Sequence, residues 1–342
     1  MNLNKEEVIA LLKNVQDPEL KRSIVALGML KEVSVGQDSV HLDLEMTTAD
    51  PVIRQSIETQ IRATLQGKYG AALKADIHVH KAAAKGPVQG PTAQSGIQHV
   101  VAVASGKGGV GKTTVAVNLA LALAQQGHKV GLMDGDIYGP NVPLMLGVPS
   151  GKKPLVGEDQ KIIPMEAFGV GMISMGILVP ADQPMAWRGP MLHSAIQQFL
   201  QQVAWGELDF LIVDLPPGTG DVQLSLVQSV SLSGAVIVTT PQEVALMDVR
   251  KGIAMFQKTN VPLLGVIENM TGEIFGSGGG RKAAEQYGVP FLGEIGLNAK
   301  IREGGDCGKP IVIAEPQSAA ARAFHEAARL MKNSLASAAA KV

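Results

Sequence analysis

Cysteine is nearly missing from this chain: 342 residues hold one, Cys307. A disulfide framework is excluded, and so is any metal site built from several thiolates of a single chain. Aromatic residues make up only 4% against 46% hydrophobic residues overall, so the core has to be aliphatic. That composition suits a buried parallel sheet better than an aromatic-lined groove. An excess of one charge is also missing, since 30 basic and 31 acidic side chains leave a formal net charge of −1. No global field would then drive the chain onto nucleic acid or an anionic membrane. No apolar run approaches the roughly 18 residues of a membrane span. The first residues, Met1 to Glu7, lack the basic and apolar regions of a signal peptide. The expectation is a cytoplasmic protein with no nucleic-acid or membrane partner.

What is present is a loop. Ser105-Gly106-Lys107-Gly108-Gly109-Val110-Gly111-Lys112-Thr113-Thr114 follows the apolar run Val100 to Ala104 and precedes the apolar stretch Val115 to Ala124. Strand, glycine loop and helix form the setting in which G-x-x-x-x-G-K-[ST] binds phosphate. Phosphate oxygens need several donors converging on one spot. Successive backbone N–H groups supply them, glycines allow close approach, and a helix start adds further N–H groups and a favourable dipole. Lys112 is expected to reach the β- and γ-phosphates, with the Thr113 hydroxyl completing a Mg²⁺ shell.

Length suggests roughly two domains. In the first, Val8, Ile9, Leu11 and Leu12 mark a short helix, and Asp17-Pro18 starts a turn or a second one. Alternation around Val33 and Val35, and from Val40 to Met46, predicts an antiparallel hairpin. Ile53, Ile57, Ile61 and Leu65 recur at i, i+4 behind Pro51, a helix, and Asp76 to His80 alternates as a third strand. A small α+β domain over residues 1–82 follows from this, then a Pro/Gly/Ala-rich linker over 83–97. His78 and His80 share one strand face; the pattern offers no third ligand, so they read as solvated edge-strand histidines.

Residues 98–342 alternate apolar runs with helical stretches: Val130–Met133, Phe210–Val213, Ala235–Val238, Leu263–Ile267 and Phe291-Leu292. The fold class is therefore α/β, a mostly parallel sheet with helices on both faces, whose ligands bind at the carboxyl ends of strands. Three segments leave such ends. Asp134-Gly135-Asp136 carries two carboxylates able to orient a water and approach a metal, or to cap a helix. Asp214 ends a buried run and would deliver a carboxylate to Mg²⁺. Pro216-Pro217-Gly218 follows as a stiff turn whose Gly218 N–H could sense a γ-phosphate. Glu268-Asn269-Met270 offers an amide that matches the edge of adenine or caps a helix. His193-Ser194 is not a triad by adjacency. Met172, Met175 and Met191 read as core filler, and Arg188-Gly189-Pro190 reads as a contact to a partner or a nucleotide.

Lys107, directly after the first glycine, makes the loop resemble the deviant Walker A loop of the MinD/ParA/nitrogenase-iron-protein superfamily. Within it, the chain is similar to Mrp/ApbC iron–sulfur cluster carrier proteins across Asp134–Asn141, Asp214–Asp221, Thr239–Leu246, Glu268–Met270 and Phe275–Gly280. The first domain, with Val15-Gln16-Asp17-Pro18-Glu19-Leu20, resembles the small domain of SUF-associated proteins. The resemblance implies an ATPase that works as a homodimer sandwiching two nucleotides, with Lys107 reaching the partner's phosphates. Gly106 to Thr114 and Asn269 would hold ATP, Thr113 and Asp214 the Mg²⁺, and Asp136 the attacking water. Iron–sulfur clusters would be the cargo, and scaffold proteins or apoproteins the partners.

The chain departs from that family at two places. A C-x-x-C pair is expected between Glu268-Asn269-Met270 and Phe275, but Thr271-Gly272-Glu273-Ile274 stands there. Thr47-Thr48-Ala49-Asp50-Pro51 likewise occupies a place where relatives often carry a cysteine. Cluster iron is held by thiolates, which leaves Cys307 as the candidate ligand, two per dimer. Two other readings stay open: a MinD/ParA-like positioning switch, and a cluster-independent regulatory ATPase or binding switch. The tail from Ala327 to Val342 has too few bulky apolar residues for a membrane anchor.

Overall fold

The computed structural model describes residues 3–18, 23–25, 29–36, 38–46, 51–70, 72–81, 96–136, 139–149, 151–178, 196 and 199–339. Met191, His193-Ser194 and Arg188-Gly189-Pro190 lie outside the described residues, as does most of the 83–97 segment. The chain forms two compact units, Met1–Gly90 and Pro91–Val342.

In the first unit, β1 (Leu30–Val35) pairs antiparallel with β2 (Ser39–Met46), and β2 pairs parallel with β3 (Lys74–Lys81). Helices α1 (Lys5–Leu12) and α2 (Pro51–Tyr69) accompany them. The i, i+4 row Ile53, Ile57, Ile61, Leu65 is buried with Val40, Leu42 and Leu44 of β2. Alternation therefore leaves His41, Asp76, His78 and His80 on the exposed face.

The second unit is built on an eight-stranded sheet in the order β11-β10-β9-β4-β8-β5-β7-β6. Its strands are β4 (Ile97–Ala104), β5 (Val130–Asp134), β6 (Met165–Ala167), β7 (Val170–Ser174), β8 (Leu208–Asp214), β9 (Gly234–Thr239), β10 (Leu263–Thr271) and β11 (Phe291–Gly296). Every pairing is parallel except β6 with β7. Alternate residues of the same strands fall into two cores, as strands covered on both faces require. Val101, Val103, Leu132 and Ile212 face one side. Ala102, Met133, Leu211 and Val213 face the other.

Helix α3 (Lys112–Gln125) packs its Ala/Leu/Val residues in the first core. Beside it lies the final helix (Ala319–Ala339), which buries Ala327, Met331 and Leu335, with Leu330 half-buried. That helix is a core element, in keeping with its poor anchor composition. Met172 and Met175 are buried filler. The β6–β7 hairpin was not expected; both strands are short and carry glycine or a charge, which weakens the apolar pattern. Among the described residues, no helix is long and apolar enough to cross a membrane.

Candidate nucleotide site

All strands that flank β4 run parallel to it, so their carboxyl ends gather at one edge. Ser174, Asp134, Asp214 and Val103 sit in consecutive register across β7, β5, β8 and β4. The glycine loop leaves β4 at this row and feeds α3.

Two glycines of the loop are dictated by close approach. A Cβ on Gly106 would lie 2.5 Å from the backbone of Asp248, and Gly111 has φ +79° with Asn269 Nδ2 where a Cβ would sit. A side chain would find open space at Gly108 and Gly109, in the cradle itself. The loop borders a cavity of about 700 Å³ that is also lined by Thr114, Asp136 and Asn269. This cradle fits a phosphate chain: backbone N–H groups without Cβ cover, a helix start and a lysine.

Lys112 Nζ is buried and lies 2.6 Å from Asp214 Oδ1 and 3.8 Å from Asp136 Oδ2. The Thr113 hydroxyl donates to Asp214 Oδ2 at 2.7 Å. A hydroxyl beside a carboxylate is an oxygen donor set that fits Mg²⁺. Asp214 is fully buried; burial raises its pKa, while Lys112 and Thr113 pull it back. Lys107 makes no ion pair among the described residues and lines the cavity mouth.

The two carboxylates after β5 divide the work. Asp134 is fully buried, accepting from Asp136 N at 3.1 Å, Val142 N at 3.3 Å and the Ser174 hydroxyl at 2.9 Å. Burial and the facing Asp214 push its pKa up to about 7, against the opposing hydrogen bonds. It fixes the loop, and Asp136 is the one directed at Lys112 and the cavity. The two readings of the pair thus fall on different residues: Asp134 holds the turn, and Asp136 is placed where the water-orienting reading needs a carboxylate.

Gly218 departs from expectation. Its N–H donates to the Ser105 carbonyl at 3.0 Å, so the Pro-Pro-Gly turn braces the glycine loop from below. Asn269 Nδ2 donates to the Val110 carbonyl at 2.9 Å, which ties β10 to the loop and leaves the amide oxygen and second N–H as its remaining capacity. A register shift between Asn269 and Thr271, with Met270 at φ +60°, turns the chain here. Its neighbour Glu268 is fully buried and accepts from Gly278 N and Gly280 N, holding the start of the Gly279–Tyr287 helix.

Where a C-x-x-C pair was expected, Gly272 and Gly276 exchange both backbone hydrogen bonds, at 2.9 and 2.7 Å, and close a tight turn with Ile274 exposed. Cys307 is exposed and caps the Ala299–Asp306 helix. That helix was missed as part of the site: Leu297, Asn298, Ile301 and Arg302 form a wall of the cavity. No local sequence signal marks them, because only the β11 crossover brings them there.

Both units of the chain match known protein families. The family model described as NUBPL iron-transfer P-loop NTPase matches residues 96–332, and a model described as iron–sulfur cluster assembly protein matches residues 5–73. The chain is 49% identical over 336 residues to a Deinococcus radiodurans protein named iron-sulfur cluster carrier protein, covering 95% of this chain and 94% of that one. An Escherichia coli K12 protein of the same name is 42% identical, over 91% of this chain and 87% of its own. Among solved structures, a nucleotide-binding protein from Archaeoglobus fulgidus in complex with ADP superposes with TM-score 0.57 at 36% identity, covering 65% of this chain and 90% of that one. The cell division ATPase MinD of Pyrococcus furiosus superposes with TM-score 0.57 at 28% identity, covering 69% of this chain and 99% of that one. The chain belongs to the NUBPL-type iron-transfer P-loop NTPase family.

Proposed function

We propose that this protein binds and slowly hydrolyses ATP as a homodimer closed over two nucleotides, and that the cycle serves iron–sulfur cluster carriage or assembly. The observation that carries the nucleotide reading is the convergence of Lys112, Thr113, Asp136 and Asp214 at the cradle of the glycine loop. Lys112 and the loop N–H groups hold the β- and γ-phosphates, and Thr113 and Asp214 hold Mg²⁺, which neutralises charge developing on the transferred group. Asp136 orients the attacking water. Lys107, half-exposed at the mouth, serves the partner's phosphates, where a second cation offsets transition-state charge. Asn269 contacts the base with the amide capacity that Val110 does not use.

The cluster is cargo, and the names of the relatives support that assignment. With a single cysteine per chain, thiolate ligation by this protein alone rests on Cys307 from two copies. Other thiolates come from a scaffold protein or an apoprotein client. Phosphate release from ATP, measured beside Lys112→Ala, tests the nucleotide reading. Turnover lost in the variant is expected; release equal to the variant's contradicts it.

A further inference from the structure

Strand β3 carries Asp76, His78 and His80 on its exposed face, and β2 carries His41 and Asp43 on the same face. Parallel register sets His41 opposite Asp76 and Asp43 opposite His78. The ligand missing from the strand pattern is therefore supplied from across the sheet. His41 Nε2 lies 3.2 Å from Asp76 Oδ2, and His78 Nε2 lies 3.4 Å from the same oxygen. One ligand atom from each of the three residues falls within 4.8 Å of the others. The rings of His41 and His78 stack with centroids 5.7 Å apart and planes 11° apart, and both turn Nε2 toward Asp76 Oδ2.

A tetrahedral ion bound at about 2.0–2.1 Å separates neighbouring ligand atoms by about 3.3 Å. Two edges of the cluster already have that length. Two imidazoles and one carboxylate suit borderline divalent ions such as Fe²⁺, Co²⁺, Ni²⁺ and Zn²⁺, and do not suit Mg²⁺ or Ca²⁺. From this we propose that His41, Asp76 and His78 form a binding site for one first-row divalent transition-metal ion on the small domain. Each imidazole offers the ion its Nε2 lone pair, giving up the proton shared with Asp76, and water completes the shell. The ligands stand on paired strands over the buried residues Val40, Leu42 and Leu44, so the backbone part of the site is set before the ion arrives. His80 Nε2 lies 3.1 Å from Asp43 Oδ1, and its ring stacks on that of His78 with centroids 6.4 Å apart.

The test is calorimetric titration of the nucleotide-free full chain with Zn²⁺, and with Co²⁺ for its visible absorbance, in excess Mg²⁺ to occupy the oxygen ligands Thr113 and Asp214. One ion per chain is expected. His41→Ala and His78→Ala should each weaken it by about tenfold or more, while Cys307→Ser leaves it unchanged. Tetrahedral cobalt bands, lost in the same two variants, are expected alongside. These side chains are exposed, so circular dichroism of the variants should match the wild type. No saturable binding up to about 1 mM metal, the weak end of protein cation sites, would overturn the proposal. So would binding that survives the His41→Ala/His78→Ala double variant, or that follows Cys307.

Discussion

Lys112 Nζ lies 2.6 Å from Asp214 Oδ1, a buried ion pair joining the first residue of a helix to the last residue of a strand 102 positions away. The pair makes the lysine of the glycine loop part of the fold's own electrostatics. Removing the cation leaves Asp214 charged and buried, which costs about 3–5 kcal/mol. Lys112→Ala should therefore lose both turnover and stability. Adding Asp214→Asn should restore much of the stability and none of the turnover. Urea unfolding and phosphate release, measured on the same three proteins, check this; full stability in Lys112→Ala alone contradicts it.

Asp134 predicts a different pattern. Its carboxylate accepts from Ser174, Asp136 and Val142 in a fully buried setting. Asp134→Ala orphans those donors and should cost about 1–3 kcal/mol, with Asp134→Asn costing less because its amide oxygen still accepts. Asp136→Asn keeps an amide oxygen for the Gly139 N–H and should depress turnover far more than it lowers stability. Denaturant midpoints set beside rates separate the two carboxylates.

Those two residues also show how far the sequence could be read. The glycine loop, the buried strands and the strand-end acids were legible because each is a local pattern. Asp134 and Asp136 were legible only as a pair; which one faces Ser174 and which faces Lys112 depends on register with β7 and β8. Gly218 was misread because its N–H meets the Ser105 carbonyl, a contact across more than a hundred residues. The wall at Leu297 to Arg302 and the His41–Asp76 apposition are likewise products of strand order, which periodicity does not encode.

The cluster question turns on sulfide. Anaerobic reconstitution followed by acid-labile sulfide and absorbance distinguishes a cluster from an ion at His41, Asp76 and His78. If two copies of Cys307 bridge a cluster, about one sulfide per chain for a 2Fe–2S cluster, or about two for a 4Fe–4S cluster, should appear and vanish in Cys307→Ser. If partner thiolates hold it, sulfide should appear only when a cysteine-bearing scaffold is added. Sulfide bound without a partner and unaffected by Cys307→Ser contradicts both.

The two-chain nucleotide site is tested most directly by mixing. Lys107→Ala and Lys112→Ala should each bind poorly or turn over slowly, by about tenfold or more, when alone. In a mixed dimer, the site whose own chain carries Lys112 receives Lys107 from its partner. Equal mixtures should then recover about a quarter of wild-type phosphate release, since half the dimers are mixed and each holds one complete site. A mixture that stays at the average of the two variants contradicts the trans role of Lys107.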